Sequence, residues 1–64
     1  MTPTEEPTEV MTLAEVANLL RCHSSTLYRM AKRGDIPSWR LGSDYRFTRA
    51  EVLEWIGKQR RNGR

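Results

Sequence analysis

The chain carries one cysteine, Cys22, one histidine, His23, and one phenylalanine, Phe47, among its 64 residues. A single thiol closes no disulfide, and a lone cysteine fits a reducing compartment better than secretion. Cys22 and His23 together supply only part of the four-ligand set that a closed zinc site wants, so no metal is expected. Cys22 reads instead as an inert thiol packed in a turn, and His23 as a surface or helix-capping residue. No apolar run approaches the roughly 18 residues that span a bilayer, and no basic stretch followed by an apolar one opens the chain. A soluble, cytoplasmic protein with no membrane contact is the expectation. Paired carboxylates, a nucleophile beside a base and a glycine-rich phosphate loop are also missing, which predicts neither catalysis nor a cofactor.

What is present is charge, unevenly placed. The formal net charge is +3, yet the first ten residues hold Glu5, Glu6 and Glu9 and no base. The rest of the chain holds all 11 lysines and arginines against Glu15, Asp35, Asp44, Glu51 and Glu54, a net +6. A basic body attracts polyanions, and nucleic acid is the usual one. The composition divides the chain into an acidic lead-in over 1–10 with Pro3 and Pro7, expected to be disordered, a folded domain over 11–57, and a basic, frayed tail over 58–64. A domain this short buries only about 60% of its unfolded surface, so its core must be economical.

Two helical patterns come first. Thr12-Leu13-Ala14-Glu15 has the form of a capping box, and Leu13, Val16, Ala17 and Leu20 then fall on one helical face. The pattern lapses at Arg21-Cys22-His23. It resumes over 24–33, where Leu27, Met30 and Ala31 form an apolar stripe and Gly34 stands as the stop. Two short helices joined by about three residues have the dimensions of a helix-turn-helix. Opposite the stripe lie Ser25, Arg29 and Lys32, flanked by Tyr28 and Arg33, a set of bases and hydroxyls suited to a major groove.

The period then changes to alternation. Trp39 and Leu41, then Tyr45 and Phe47, are separated by polar residues, with Gly42-Ser43-Asp44 as turn chemistry. This predicts a hairpin in which Leu41 faces Tyr45, Trp39 faces Phe47, and Arg40 lies opposite Arg46. Like charges across a strand pair are destabilising unless an anion lies over them, so Arg40 and Arg46 read as a grip on phosphate or an adjacent minor groove. A second capping box, Thr48-Arg49-Ala50-Glu51, opens a third helix with Val52, Leu53 and Ile56 inward and Trp55 flanking. Gly57 weakens its far end. Trp39 and Trp55 are expected to fill core rather than form an interface. The fold class is therefore mainly α with a small β-hairpin, a winged helix-turn-helix in the order α-turn-α-β-β-α.

From Met11 to Ile56 these segments resemble the excisionase-type, MerR-like winged helix-turn-helix domains. The resemblance is carried by Thr12-Leu13-Ala14-Glu15-Val16-Ala17-Asn18-Leu19-Leu20, Ser25-Thr26-Leu27-Tyr28-Arg29, Gly34-Asp35-Ile36-Pro37, Arg40-Leu41-Gly42 and Tyr45-Arg46-Phe47. That family includes phage and plasmid excisionases and short transcriptional regulators of the BldC type. It implies double-stranded DNA binding by the second helix and the wing, with self-association along DNA, and contact roles for Thr26, Tyr28, Arg29 and Arg46. Three positions depart from its pattern. Arg21 stands where glycine is frequent, and a positive φ there would strain it by about 1 kcal/mol. His23 replaces a capping serine, leaving Ser24 to cap. Ser43-Asp44 replaces arginine at the wing tip, where Asp44 would repel phosphate.

The candidate DNA-contacting residues are thus Ser24, Ser25, Thr26, Tyr28, Arg29, Lys32 and Arg33 on the second helix, with Arg40, Ser43 and Arg46 on the wing over 38–47. The expected function is double-stranded DNA binding in transcription regulation by a chain that is monomeric in solution, since no long coiled-coil helix follows the domain. An excisionase role in recombination would use the same contacts. A protein-interaction module of the anti-repressor kind is the rival from another class, and binding to duplex DNA separates it.

Overall fold

The computed structural model describes residues 9–62. Most of the acidic lead-in and the last two residues of the tail lie outside the described residues. In order, the elements are β1 (Val10–Thr12), α1 (Leu13–Leu20), α2 (Ser24–Arg33), β2 (Trp39–Leu41), β3 (Asp44–Thr48) and α3 (Arg49–Asn62). The strands form one antiparallel sheet in the order β1-β3-β2, and the whole is a winged helix-turn-helix.

The expected first capping box forms. Thr12 Oγ1 accepts from the Glu15 N–H at 3.1 Å, and Glu15 Oε1 accepts from the Thr12 N–H at 2.9 Å, so two orphan donors at the start of α1 are satisfied reciprocally. Both α1 and α2 end in the same two-bond closure. The Arg21 N–H donates to the Asn18 carbonyl and the Cys22 N–H to that of Ala17; the Gly34 N–H donates to Ala31 and the Asp35 N–H to Met30. This closure requires a left-handed residue at its pivot. Gly34 adopts it at φ 81° without strain, whereas Arg21 is held there at φ 60°, ψ 43°.

Left-handed backbone costs a residue with a Cβ about 1–2 kcal/mol, and glycine gives back about 0.4–1 kcal/mol through its freer unfolded state. Arg21→Gly is therefore expected to stabilise the domain by about 0.5–1 kcal/mol, read as a higher urea midpoint at unchanged slope. A lower midpoint would show that the arginine side chain contributes more than its backbone costs. At the other end of the turn, the N-cap of α2 is His23, not Ser24, and the His23 side chain makes no capping hydrogen bond.

The sheet departs from the sequence reading in two ways. A third strand precedes α1: Val10, Met11 and Thr12 pair with Thr48, Phe47 and Arg46, so Val10, assigned to the lead-in, belongs to the fold. The hairpin register is also shifted by one residue. Trp39 pairs with Arg46, Arg40 with Tyr45 and Leu41 with Asp44, in place of Trp39 with Phe47, Arg40 with Arg46 and Leu41 with Tyr45. The cause is the turn, a two-residue loop of Gly42 and Ser43 with Gly42 at φ 67°. Glycine with positive φ at the first central position matches the twist of a tight hairpin, whereas a three-residue Gly42-Ser43-Asp44 turn would have given the other pairing. A slip of one residue exchanges the faces of a strand.

Packing follows from that register. The inner face of the sheet presents Met11, Tyr45 and Phe47 to Val16 and Ala17 of α1, Leu27 and Ala31 of α2, Ile36, and Val52 of α3. Phe47, Leu27, Val16 and Val52 are wholly enclosed. Trp39 is not core: it stands exposed on β2, while Trp55 packs against the core and its Nε1 donates to the Asp35 carbonyl at 2.9 Å. That bond ties α3 to the segment following α2. Leu53, read as inward, is exposed, and Trp55 and Ile56 share the inner side with Val52.

The second capping box does not form. β3 runs through Thr48, which pairs with Val10, and the Arg49 N–H donates to the Glu9 carbonyl at 2.9 Å; no hydrogen bond joins Thr48 to Glu51 among the described residues. α3 continues through Gly57 to Asn62, so Lys58, Gln59, Arg60 and Arg61, read as frayed tail, are helical.

Candidate nucleic-acid interface

The α2 helix is amphipathic because its apolar residues recur at helical spacing. With Leu27 and Ala31 buried and Met30 half-buried, the 100° step per residue leaves Ser25, Arg29 and Lys32 facing away from the core. Ser24, Tyr28 and Arg33 are exposed beside them, and Thr26 is half-buried. All seven helix residues singled out from the sequence are thus carried by one short element, six of them on its open side.

Their charges are not equivalent. Arg33 donates from both Nε and Nη2 to Asp35 Oδ2, at 2.9 and 2.7 Å, so its guanidinium is already oriented by an intramolecular carboxylate. Arg29 and Lys32 enter no ion pair among the described residues. They are the free cations of the helix, and an incoming phosphate or base edge displaces only water from them. At the other end, the first intrahelical bond runs from the Leu27 N–H to the His23 carbonyl at 3.1 Å. With no side-chain cap at His23, the N–H groups of Ser24, Ser25 and Thr26 start the helix uncapped, at its positive end.

The wing is joined to this helix by stacked side chains. Tyr28 of α2 meets Tyr45 of β3 edge to face, with centroids 5.5 Å apart and planes at 73°. The Arg40 guanidinium carbon lies 5.4 Å from the centroid of the Tyr45 ring. Arg40, Tyr45 and Tyr28 therefore form a continuous run from β2 across β3 to α2, and cation–π attraction holds the arginine on the helix side of the wing. Tyr45 was recognised in the sequence as an inward residue but paired with Leu41. Its linking role appears only once Arg40 is its cross-strand neighbour.

Arg46 stands elsewhere. Alternation along β3 puts it on the outer face of the sheet, with Trp39 and Thr12 as neighbours in its row. Its side chain is 24% exposed; Nη1 donates to the Tyr45 carbonyl at 3.2 Å and lies 4.0 Å from Asp44 Oδ2. Arg40 and Arg46, expected to act as one grip, are thus on opposite faces. Ser43 occupies the wing tip beside Gly42, and Asp44 follows with its carboxylate exposed and directed toward Arg46.

Among the described residues no group of three His, Cys, Asp or Glu side chains is placed to hold a metal ion, and no helix is long and apolar enough to cross a membrane. A family model described as a helix-turn-helix domain matches residues 10–60. Two curated proteins of Mycobacterium tuberculosis, one from strain CDC 1551 and one from strain H37Rv, each named "Putative DNA-binding protein", are similar to this chain at 41% identity over 39 residues. The aligned stretch is 61% of this chain and 50% of each relative, so the match spans about half the length of those proteins. No solved structure matches the chain significantly.

Proposed function

The chain belongs to the helix-turn-helix domain family, of excisionase type, and from that premise we propose that it binds double-stranded DNA, with α2 in the major groove and the wing on the flanking backbone or minor groove. The observation that carries this reading is the pair of cations Arg29 and Lys32, without ion-pair partners among the described residues, on the open side of α2, together with Arg40 over the Tyr45 ring, which Tyr28 of the same helix meets edge to face. Ser24, Ser25 and Thr26 at the uncapped start of α2 approach phosphate. Arg29 reads a base edge, since guanidinium can meet guanine bidentately. Lys32, Arg33 and Ser43 lie against the backbone. Similarity to two proteins named as DNA-binding supports the same choice.

Binding of this kind releases counterions. With about four phosphates neutralised, the logarithm of the association constant should fall against the logarithm of salt concentration with a slope of about −3 to −4. Fluorescence anisotropy on a labelled duplex, titrated at several salt concentrations, measures it. Failure to bind any duplex from a random pool, or a slope near zero, would overturn the reading and favour a protein-interaction module. The role we assign to binding is control of transcription by occupancy, without chemistry at the site. A recombination accessory would bind with the same contacts and would be required in a strand-exchange assay with its recombinase.

A further inference from the structure

The outer face of the sheet carries a surface that DNA binding does not use. Register places Val10 and Thr12 of β1, Asp44, Arg46 and Thr48 of β3, and Trp39 and Leu41 of β2 on the side away from the helices. Val10, Trp39 and Leu41 are 54%, 41% and 55% exposed, although large apolar side chains are normally the first to be covered in so small a domain. Arg40, Tyr45 and the contact side of α2 lie on the opposite side.

Charge selects the occupant. Residues 11–64 carry a net +6, so two copies meeting through most of their surface repel. The outer face is the exception: its charged side chains are Asp44 and Arg46, one of each sign, beside the three apolar residues. Such a patch is complementary to itself. Joining two β2 edges instead, antiparallel about their middle residue, would set Arg40 against its own symmetry mate, a like-charge pair that opposes edge addition. Stacking face to face has no such penalty.

We propose that two copies of this chain associate through their outer sheet faces about a two-fold axis. Trp39 and Leu41 of each copy cover those of the other, and Arg46 of one meets Asp44 of the other twice over, as an isologous contact requires. The patch is small beside the about 800 Å² per partner of a stable interface. The pair is therefore weak when free and forms readily once two chains are held on one duplex at high effective concentration. On DNA the two-fold axis demands inverted half-sites, not tandem ones; that consequence rests on the DNA-binding reading, whereas the pairing itself does not.

Sedimentation equilibrium of the full chain without DNA, from about 10 μM to about 1 mM, should show an average mass rising toward twice that of one chain, with the Trp39 indole resonance shifting in parallel. Trp39→Glu and Leu41→Glu, each confirmed folded by circular dichroism, should weaken association by about tenfold or more. Arg46→Asp should do the same, and adding Asp44→Arg should restore it. A mass that stays constant, or an association untouched by both glutamate variants, would overturn the proposal. So would a Trp39 resonance that responds to deletion of residues 1–8 but not to concentration, which would assign the face to the chain's own N-terminal segment. Self-association without duplex binding would defeat the functional reading alone, and duplex binding by a strictly monomeric chain would defeat this one alone.

Discussion

Arg29→Ala is expected to weaken binding to the preferred duplex by about 1–3 kcal/mol, roughly 5- to 150-fold, while leaving binding to unrelated sequences nearly unchanged. The size follows from what the residue has available. Its guanidinium has no intramolecular partner among the described residues and stands at the centre of the open side of α2, so contact with a base edge is made at little internal cost. Arg40→Ala tests the other half of the interface. In the proposed docking it removes a phosphate contact by a guanidinium that lies over the Tyr45 ring, so affinity should fall about equally on all sequences and the salt slope should lose about one unit. Arg46→Ala, on the outer face and already engaged with the Tyr45 carbonyl, should change the affinity of a single copy for a single half-site much less than either. Anisotropy titrations on matched and scrambled duplexes distinguish the three. If Arg46→Ala costs as much as Arg40→Ala, the two faces of the wing do not divide the work as described.

The second large effect is on stability. Phe47→Ala should cost about 3–5 kcal/mol, because a fully enclosed aromatic side chain loses both its transfer free energy and the contacts around the space left behind. A chain of 64 residues has in total about 3–10 kcal/mol to lose, so the variant should be largely unfolded at 37 °C by far-UV circular dichroism. The position explains the severity. Phe47 lies on the central strand, pairs with Met11 and shares the core with residues of all three helices, so no neighbour can close over the gap without moving an element. Leu53→Ala is the control: its side chain is exposed, and a surface truncation of this kind should stay within about 0.5 kcal/mol. Comparable losses at both positions would mean that the core is placed wrongly.

The helices show how local chemistry reaches the site. The capping box at Thr12 and Glu15 and the stop at Gly34 satisfy helix ends with residues three to five positions away, so both were legible without any tertiary information. The cationic side of α2 follows from the spacing of Leu27, Met30 and Ala31 alone. The helix-turn-helix and most of its candidate contacts are therefore written locally. Thr48-Arg49-Ala50-Glu51 carries the same motif as the first box and does not form it, although Thr12 and Thr48 are alike the last residues of paired strands.

The amino-acid order by itself determined the three helices, the cap that opens α1, the stop at Gly34, the basic body and the existence of a hairpin, since each depends on residues within one or two turns of one another. Tertiary structure alone decided the third strand, the hairpin register and the exclusion of Trp39 from the core, which Trp55 still joins. Val10–Thr12 is too short to show a period, and its partner lies at the far end of the chain. The hairpin has apolar residues on both faces, so alternation fits two registers equally well, and the two-residue turn with its left-handed Gly42 chose between them. That choice, a displacement of one residue, moved Arg40 to the face of Tyr45 beside α2, while Arg46 kept the outer face that alternation along β3 gives it.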